Sequence, residues 1–516
     1  MAALYAVTAF SQSGFYVPKK GKIFFSGDTA TVFSDVTNGG KVGVGKNAVV
    51  NFSGTVWTNA PDAAIINESD TTLGAAGTGG LVRFIGTQRQ KLDAGYNAAV
   101  KTGAVFQQFE LDNPYGLELT GSSAKVSREI ALSRGLFFLN DQMLVTGDEN
   151  GPGVIKGYDS SRYFVTNTRA GLLIREGIAT YHDWIAFPIG SKARGYTPLA
   201  LRTNAETKDD YYASVFDSVY GGGTSGASLM NEGVGKTWQA GRRFFPGEGN
   251  VEIALQHLNA DEGAVFTANK TKAYVSQIVG GKWDVDYPQT HPGPGYITTS
   301  LPYQNSGVNS RTFSSLMSVA YFTKLTGAGD TSRTRLWFNA YRLNPSNVKV
   351  YWTTNPEINV RYFVVQRRLA NETVFKNIDT VDSKALNGYS SQPLYYEMTD
   401  PNGYTGVSFY RLMSVQYSRD SAYSQIVAVG NKTGEFNIDL WPNPTTGIFY
   451  IALNTAQPVK KIIIWDEIGQ KVMEQETNGQ RVVQVNAFKL PQAHYFVSLV
   501  GDLDRIIATK KLVVVR

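Results

Sequence analysis

Trp441-Pro442-Asn443-Pro444-Thr445-Thr446-Gly447-Ile448-Phe449-Tyr450-Ile451 brackets an asparagine with prolines and ends in an alternating apolar run. Proline fixes φ and lacks an N–H, so the first half reads as a stiff turn and the second as a strand. Downstream, Lys461-Ile462-Ile463-Ile464-Trp465-Asp466-Glu467-Ile468-Gly469-Gln470-Lys471-Val472 reads as strand, turn and strand, with Gly469 at the corner. Leu490-Pro491-Gln492-Ala493-His494-Tyr495-Phe496-Val497 and Lys510-Lys511-Leu512-Val513-Val514-Val515 complete the set. Residues 432–516 therefore read as a small β-sandwich of their own.

The same alternation continues upstream. Val348 to Thr353, Arg361 to Arg368, Ser408 to Leu412 and Ala422 to Val427 are strand-like, and Trp352 is placed to plug a core. Roughly seven strands over 331–431 suit an immunoglobulin or fibronectin type III-like sandwich. Between 12 and 150, short apolar pairs are punctuated by Asn-Gly, Ser-Gly and Gly-Gly corners, as in a stacked-rung β-solenoid or β-helix. A sandwich is the competing architecture there. Residues 151–330 alternate strands with Gly/Asn/Ser-rich loops and read as a β-sandwich-like middle domain, with Gly327-Ala328-Gly329-Asp330 as linker.

Composition agrees with an all-β, multidomain chain. Its 516 residues exceed one core, and 52 Gly, 28 Tyr and 27 Phe accompany only 18% charged residues. Net charge is +6, but no Lys/Arg run exceeds two residues, which argues against nucleic acid as a partner. The absence of cysteine removes disulfides, thiolate nucleophiles and Cys-ligated zinc. Ala2 to Phe10 is a short apolar run before Ser11-Gln12-Ser13-Gly14, so residues 1–11 read as the tail of a secretory signal peptide. No later stretch holds the ~18 apolar residues that would span a bilayer.

The C-terminal segment resembles, motif for motif, the type A sorting domain of Bacteroidota type IX secretion cargo. The resemblance rests on Pro442, Asn443, Pro444, Gly447, Gly469, Lys471, Leu490, Pro491, Tyr495, Lys510 and Lys511, with Ala493 standing where that family has glycine. Residues 331–431 resemble the fibronectin type III-like module that often precedes it. The segment from Gly80 through Gln90 to Gly116 resembles the parallel β-helix of large Bacteroidota surface proteins. These resemblances imply export through the type IX translocon and its outer-membrane shuttle and sortase components. They also imply an extracellular or outer-membrane surface location, with release or attachment to lipopolysaccharide.

Candidate chemistry is sparse. His182, His257, His291 and His494 show no metal-ligand spacing, and Ser225 lacks the following glycine of a nucleophile elbow. Gly43-Val44-Gly45-Lys46 has no helix after it and reads as a solenoid corner. Asp209-Asp210 and Asp284/Asp286 are the acid pairs to consider for glycoside cleavage, and they read as solvated turns. Asp148-Glu149-Asn150 and Asp400/Asn402 read as turns rather than calcium loops. Trp283, Tyr287, Tyr296 and Tyr303 are the aromatics suited to stacking on a sugar ring. The expectation is a non-catalytic structural or adhesion protein without cofactor, able to self-associate and to meet surface polysaccharide. The alternative is an exported carbohydrate-active enzyme or glycan-binding protein.

Overall fold

The computed structural model describes residues 14–70, 77–166, 168–179, 181–205, 207–243, 250–279, 281–284, 305–313, 316–326, 334, 336–354, 356–390, 392, 394–430, 437–441, 443, 445–454, 459–466, 470–478, 480, 482–501 and 506–515. The proposed signal-peptide tail and the Gly327–Asp330 linker lie outside them. Two compact units emerge, the first built mainly from residues up to 267 and the second mainly from 325 onward.

The first unit begins as a β-solenoid. Gly14–Val17, Lys22–Phe25 and Thr29–Val32 make one rung. Asp35–Asn38, Lys41–Val44 and Val49–Phe52 make the next, each paired in parallel with its predecessor. Two of the sheets run on through parallel strands well past residue 150, one ending at Ile189–Gly190 and the other reaching Leu172–Ile178. Along each strand alternate side chains turn inward, and the aromatic ones stack from rung to rung. Phe52, Phe84, Phe109, Phe137 and Phe164 follow one another at ring separations of 5.3, 4.8, 5.8 and 5.7 Å. Gly80 is required at its corner, since a Cβ there would lie 2.3 Å from the carbonyl oxygens of Ala48 and Gly45.

Buried amides tie the rungs along a second line. Asn38 Nδ2 donates to Asn59 Oδ1 at 3.0 Å, Trp57 Nε1 donates to the same oxygen at 3.1 Å, and Asn59 Nδ2 donates to the Ala94 carbonyl at 3.0 Å. Asn59→Ala removes the acceptor of the buried Trp57 Nε1 and the shorter of the two Asn38 Nδ2 bonds, at an expected cost of about 3 kcal/mol. Amide hydrogen exchange should show lost protection in the paired strands Asp35–Asn38 and Val56–Asn59 of the variant.

The solenoid ends where strand direction reverses. Leu172–Ile178 pairs antiparallel with Asp209–Asp217, which pairs antiparallel with Lys236–Arg242. A second antiparallel sheet combines Tyr181–Phe187, Leu199–Thr203, Val251–Leu258 and Ser306–Phe313. The sheets of this middle region are sandwich-like, but one of them continues directly from the solenoid.

In the second unit, Leu336–Asn344, Asn347–Thr354 and Leu394–Pro401 form one sheet of a sandwich. Val360–Leu369, Lys376–Asp382, Ser408–Gln416 and Ser421–Tyr423 form the other. Trp352 is fully buried and stacks on Tyr396 at 5.2 Å, filling the core as the sequence pattern anticipates. On the second sheet, Arg411 lies 4.2 Å from the Phe375 ring and 4.4 Å from that of Tyr423, and Arg368 lies 4.6 Å from Phe409. These are cation–π contacts that hold neighbouring strands together.

Candidate functional site

The last sandwich sets Asn437–Trp441, Ile448–Asn454 and Val482–Asn486 in one sheet. The other runs Lys471–Glu476, Lys461–Trp465, Ala493–Val500 and Ile506–Val514. Their inward residues form one core, including Phe449, Ile451, Ile464, Val497, Leu499 and Leu512. Asn443, between the two prolines, works through its side chain: Nδ2 donates to the Lys511 carbonyl and Oδ1 accepts from Val513 N–H, both at 2.8 Å. Thr445 continues the attachment, its N–H donating to the Val513 carbonyl at 2.8 Å and its carbonyl accepting from Val515 N–H at 2.9 Å.

Gly447 has the Phe488 ring against it. An added Cβ would come within 2.2 Å of that ring, which accounts for glycine after Thr-Thr. Leu490 is buried, and Tyr495 donates its hydroxyl to the Pro491 carbonyl at 2.9 Å. Ala493 starts a strand in register with Val514, so no left-handed backbone is needed at that position. Lys471 pairs with Glu474 at 2.6 Å, whereas Lys510 and Lys511 are exposed on the final strand. Pro442, Pro444 and Gly469 lie outside the described residues.

Residues 439–515 match the family described as "Secretion system C-terminal sorting domain". This tail is a type IX sorting domain. It marks the chain as type IX secretion cargo, destined for export to the cell surface or the medium, and implies engagement with the type IX machinery. No curated protein matches the chain. Among solved structures, the fibronectin(III)-like modules of Clostridium thermocellum CbhA are similar at 9% identity, over 35% of this chain and 93% of that one, with TM-score 0.14. Dimeric latent PorU from Porphyromonas gingivalis is similar at 10% identity over 61% of this chain, with TM-score 0.18, but only 31% of PorU is covered. The BSP domain of a biofilm associated protein is similar at 6% identity, over 52% of this chain and 78% of that one, with TM-score 0.14. Superpositions this loose carry no argument about activity.

Outside the sorting domain, the structure corrects the reading of the candidate acids. Asp209 and Asp210 are buried in a strand rather than solvated in a turn. Arg242 Nε donates to Asp209 Oδ2 at 2.7 Å, with both side chains only 1% exposed. Lys101 Nζ bridges Asp210 at 2.8 Å and Glu176 at 3.0 Å, and Lys125 meets Glu176 from the other side at 2.5 Å. Tyr96 joins this cluster; burial, and then the Glu176 charge, push its hydroxyl up to about 12, so it stays a neutral phenol. Asp284 is likewise buried, accepting from Gln277 N–H at 2.7 Å and so closing the hairpin of Ala273–Val279 with Lys282–Trp283. Asp286 lies outside the described residues.

Other candidates resolve into scaffolding. Asp148 accepts from Asn150 N–H at 2.7 Å within a turn. Asp400 is buried and takes Arg367 Nη1 at 2.6 Å and the Tyr410 hydroxyl at 2.7 Å, and burial raises that phenol's pKa well above its usual value. Ser225 sits in an exposed loop. Trp283 is half-buried in its hairpin, while Tyr287, Tyr296, Tyr303 and His291 lie outside the described residues, as does the His182 side chain. Sequence reasoning missed one row of buried groups: Lys324 Nζ lies 2.5 Å from His257 Nδ1, and His257 Nε2 lies 2.9 Å from Glu262 Oε1. Lys324 also donates to the Gly307 carbonyl at 3.0 Å, so the row holds neighbouring strands together. Nothing in the local sequence marks it, because 67 positions separate Lys324 from His257.

Proposed function

We propose that this cargo chain is a non-catalytic structural or adhesive protein of the cell surface. The observation that carries the reading is the state of its best candidate acids: Asp209, Asp210 and Asp284 are each buried against a cation or a backbone N–H. A glycosidase pair needs two carboxyl groups facing an open cleft, one of them able to hold a proton. Carboxylates engaged by arginine, lysine and backbone amides serve packing instead. Among the described residues no group of three or more His, Asp and Glu side chains is arranged to hold a metal ion. Self-association and attachment to surface polysaccharide or lipopolysaccharide belong to this reading.

The test is a polysaccharide panel incubated with purified full-length protein and with its Asp210→Asn variant. No reducing ends should be released by either. Hydrolysis by the native protein that vanishes in the variant would sink the proposal in favour of a carbohydrate-active enzyme.

A further inference from the structure

Along most of the solenoid, outward charges meet opposite charges on the neighbouring rung. Arg83 pairs with Glu110 at 2.6 Å, Lys91 with Glu118 at 3.8 Å and Arg134 with Asp112 at 2.5 Å, each pair standing in register on parallel strands. The first two rungs break this rule. Lys22 stands in register with Lys41, and the third rung places Ala64 next in that row. Neighbouring strands lie about 4.8 Å apart, and like charges set side by side on a sheet repel. Lys20 and Lys46 add ammonium groups close by in the chain, before Lys22 and after Val44. All four lysines are exposed, and among the described residues none has a carboxylate partner. Nearby, Lys19 does pair, with Asp62 at 2.8 Å.

The same face carries an aromatic ring. Lys22 and Phe24 are two positions apart on one strand and share its outer side, while Val42 and Val44 of the next strand are buried in the core. Phe24 lies across the next rung: its ring fills the space a Cβ would take at Gly43 and would touch one at Gly45 at 3.4 Å. The Gly43-Val44-Gly45-Lys46 stretch is thus a seat for this ring, and Phe24 remains partly exposed there. An aromatic ring set among lysines favours a sugar, which offers it an apolar C–H face, over a bare phosphate, which offers none. We infer that this face of the first two rungs binds an acidic polysaccharide, with Phe24 stacking on a sugar and Lys22 and Lys41 taking its carboxylates. The inference rests on the adhesive reading and names the chemistry to which the chain adheres.

The probe is immobilised polygalacturonate, titrated with purified full-length protein. Wild type should bind, and more weakly as salt rises, because exposed charges are screened beyond ~10 Å at 0.1 M. Neutral dextran should retain none of it. Lys22→Glu with Lys41→Glu should weaken binding about ten-fold or more, since attraction gives way to repulsion. Both positions are exposed, so the thermal transition of this variant should stay within a few degrees of wild type. Phe24→Leu keeps an apolar side chain over Gly43 but removes the ring, and should weaken binding roughly three-fold with the salt dependence unchanged. The charge variant decides alone if the leucine variant misfolds. Equal binding by wild type and the charge variant overturns the platform and leaves the adhesive reading standing. Capture by phosphatidylglycerol vesicles without retention on polygalacturonate overturns it in favour of a membrane surface. Cleavage of the polymer by wild type would remove the non-catalytic reading, while the loss of binding in the charge variant would still uphold the platform.

Discussion

Deleting residues 437–516 abolishes appearance of the chain at the surface or in the medium of a type IX-competent host, while the remainder stays folded. The expectation of intact folding is physical. Sorting-domain residues such as Phe449, Ile451, Ile464 and Leu512 pack in a cluster of their own. The preceding sandwich has a separate cluster around Trp352, Phe363, Tyr396 and Leu412. Two cores without shared members can be separated with modest cost, because each buries its own apolar surface. Immunoblotting of medium, envelope and cytoplasmic fractions reads the export arm, and tryptophan fluorescence of the purified truncated protein reads the folding arm. Undiminished export would remove the basis for assigning a compartment at all. Loss of export together with unfolding would leave the tail's role undecided between address and scaffold, so the two readings are taken on the same preparation.

How much of this was open to sequence reading depended on range. Trp352 and the strand Asn347–Thr354 were legible because strict alternation is a local signal, and Asn443 because prolines flank it. The solenoid was legible as far as 150 through its Gly and Asn corners, yet its rungs run on to Gly190. Later rungs carry strands as short as Phe137–Phe138, Phe164–Val165 and Ile189–Gly190, and two residues cannot display a period of two. Asp209 and Asp210 follow Thr207 and Lys208 and look solvated from their neighbours. Asp209 is met by Arg242, 33 positions on, and Asp210 by Lys101, 109 positions back, and no local window contains either. The Lys324–His257–Glu262 row was invisible for the same reason, being assembled by sheet topology rather than by spacing.

Asp209→Ala discriminates most sharply between a scaffold and a catalytic site. The Arg242 side chain is 1% exposed, and its guanidinium lies 2.7 Å from the Asp209 carboxylate and 5.4 Å from the Tyr211 ring centroid. Removing the acid deletes the carboxylate that meets a buried cation at 2.7 Å, a change that costs about 3–5 kcal/mol where such pairs are broken. Asp209→Asn keeps a hydrogen-bond acceptor but not the charge, and should fall between alanine and wild type. If Asp209 were instead a catalytic acid kept at some cost to stability, its neutralisation would leave stability unchanged or raise it while abolishing turnover. Because a chain with several cores does not unfold as one unit, the readout must be local. Amide hydrogen exchange across Asp209–Asp217 and Lys236–Arg242 supplies it: these paired strands should lose protection in the alanine variant, while the sandwich around Trp352 keeps its own.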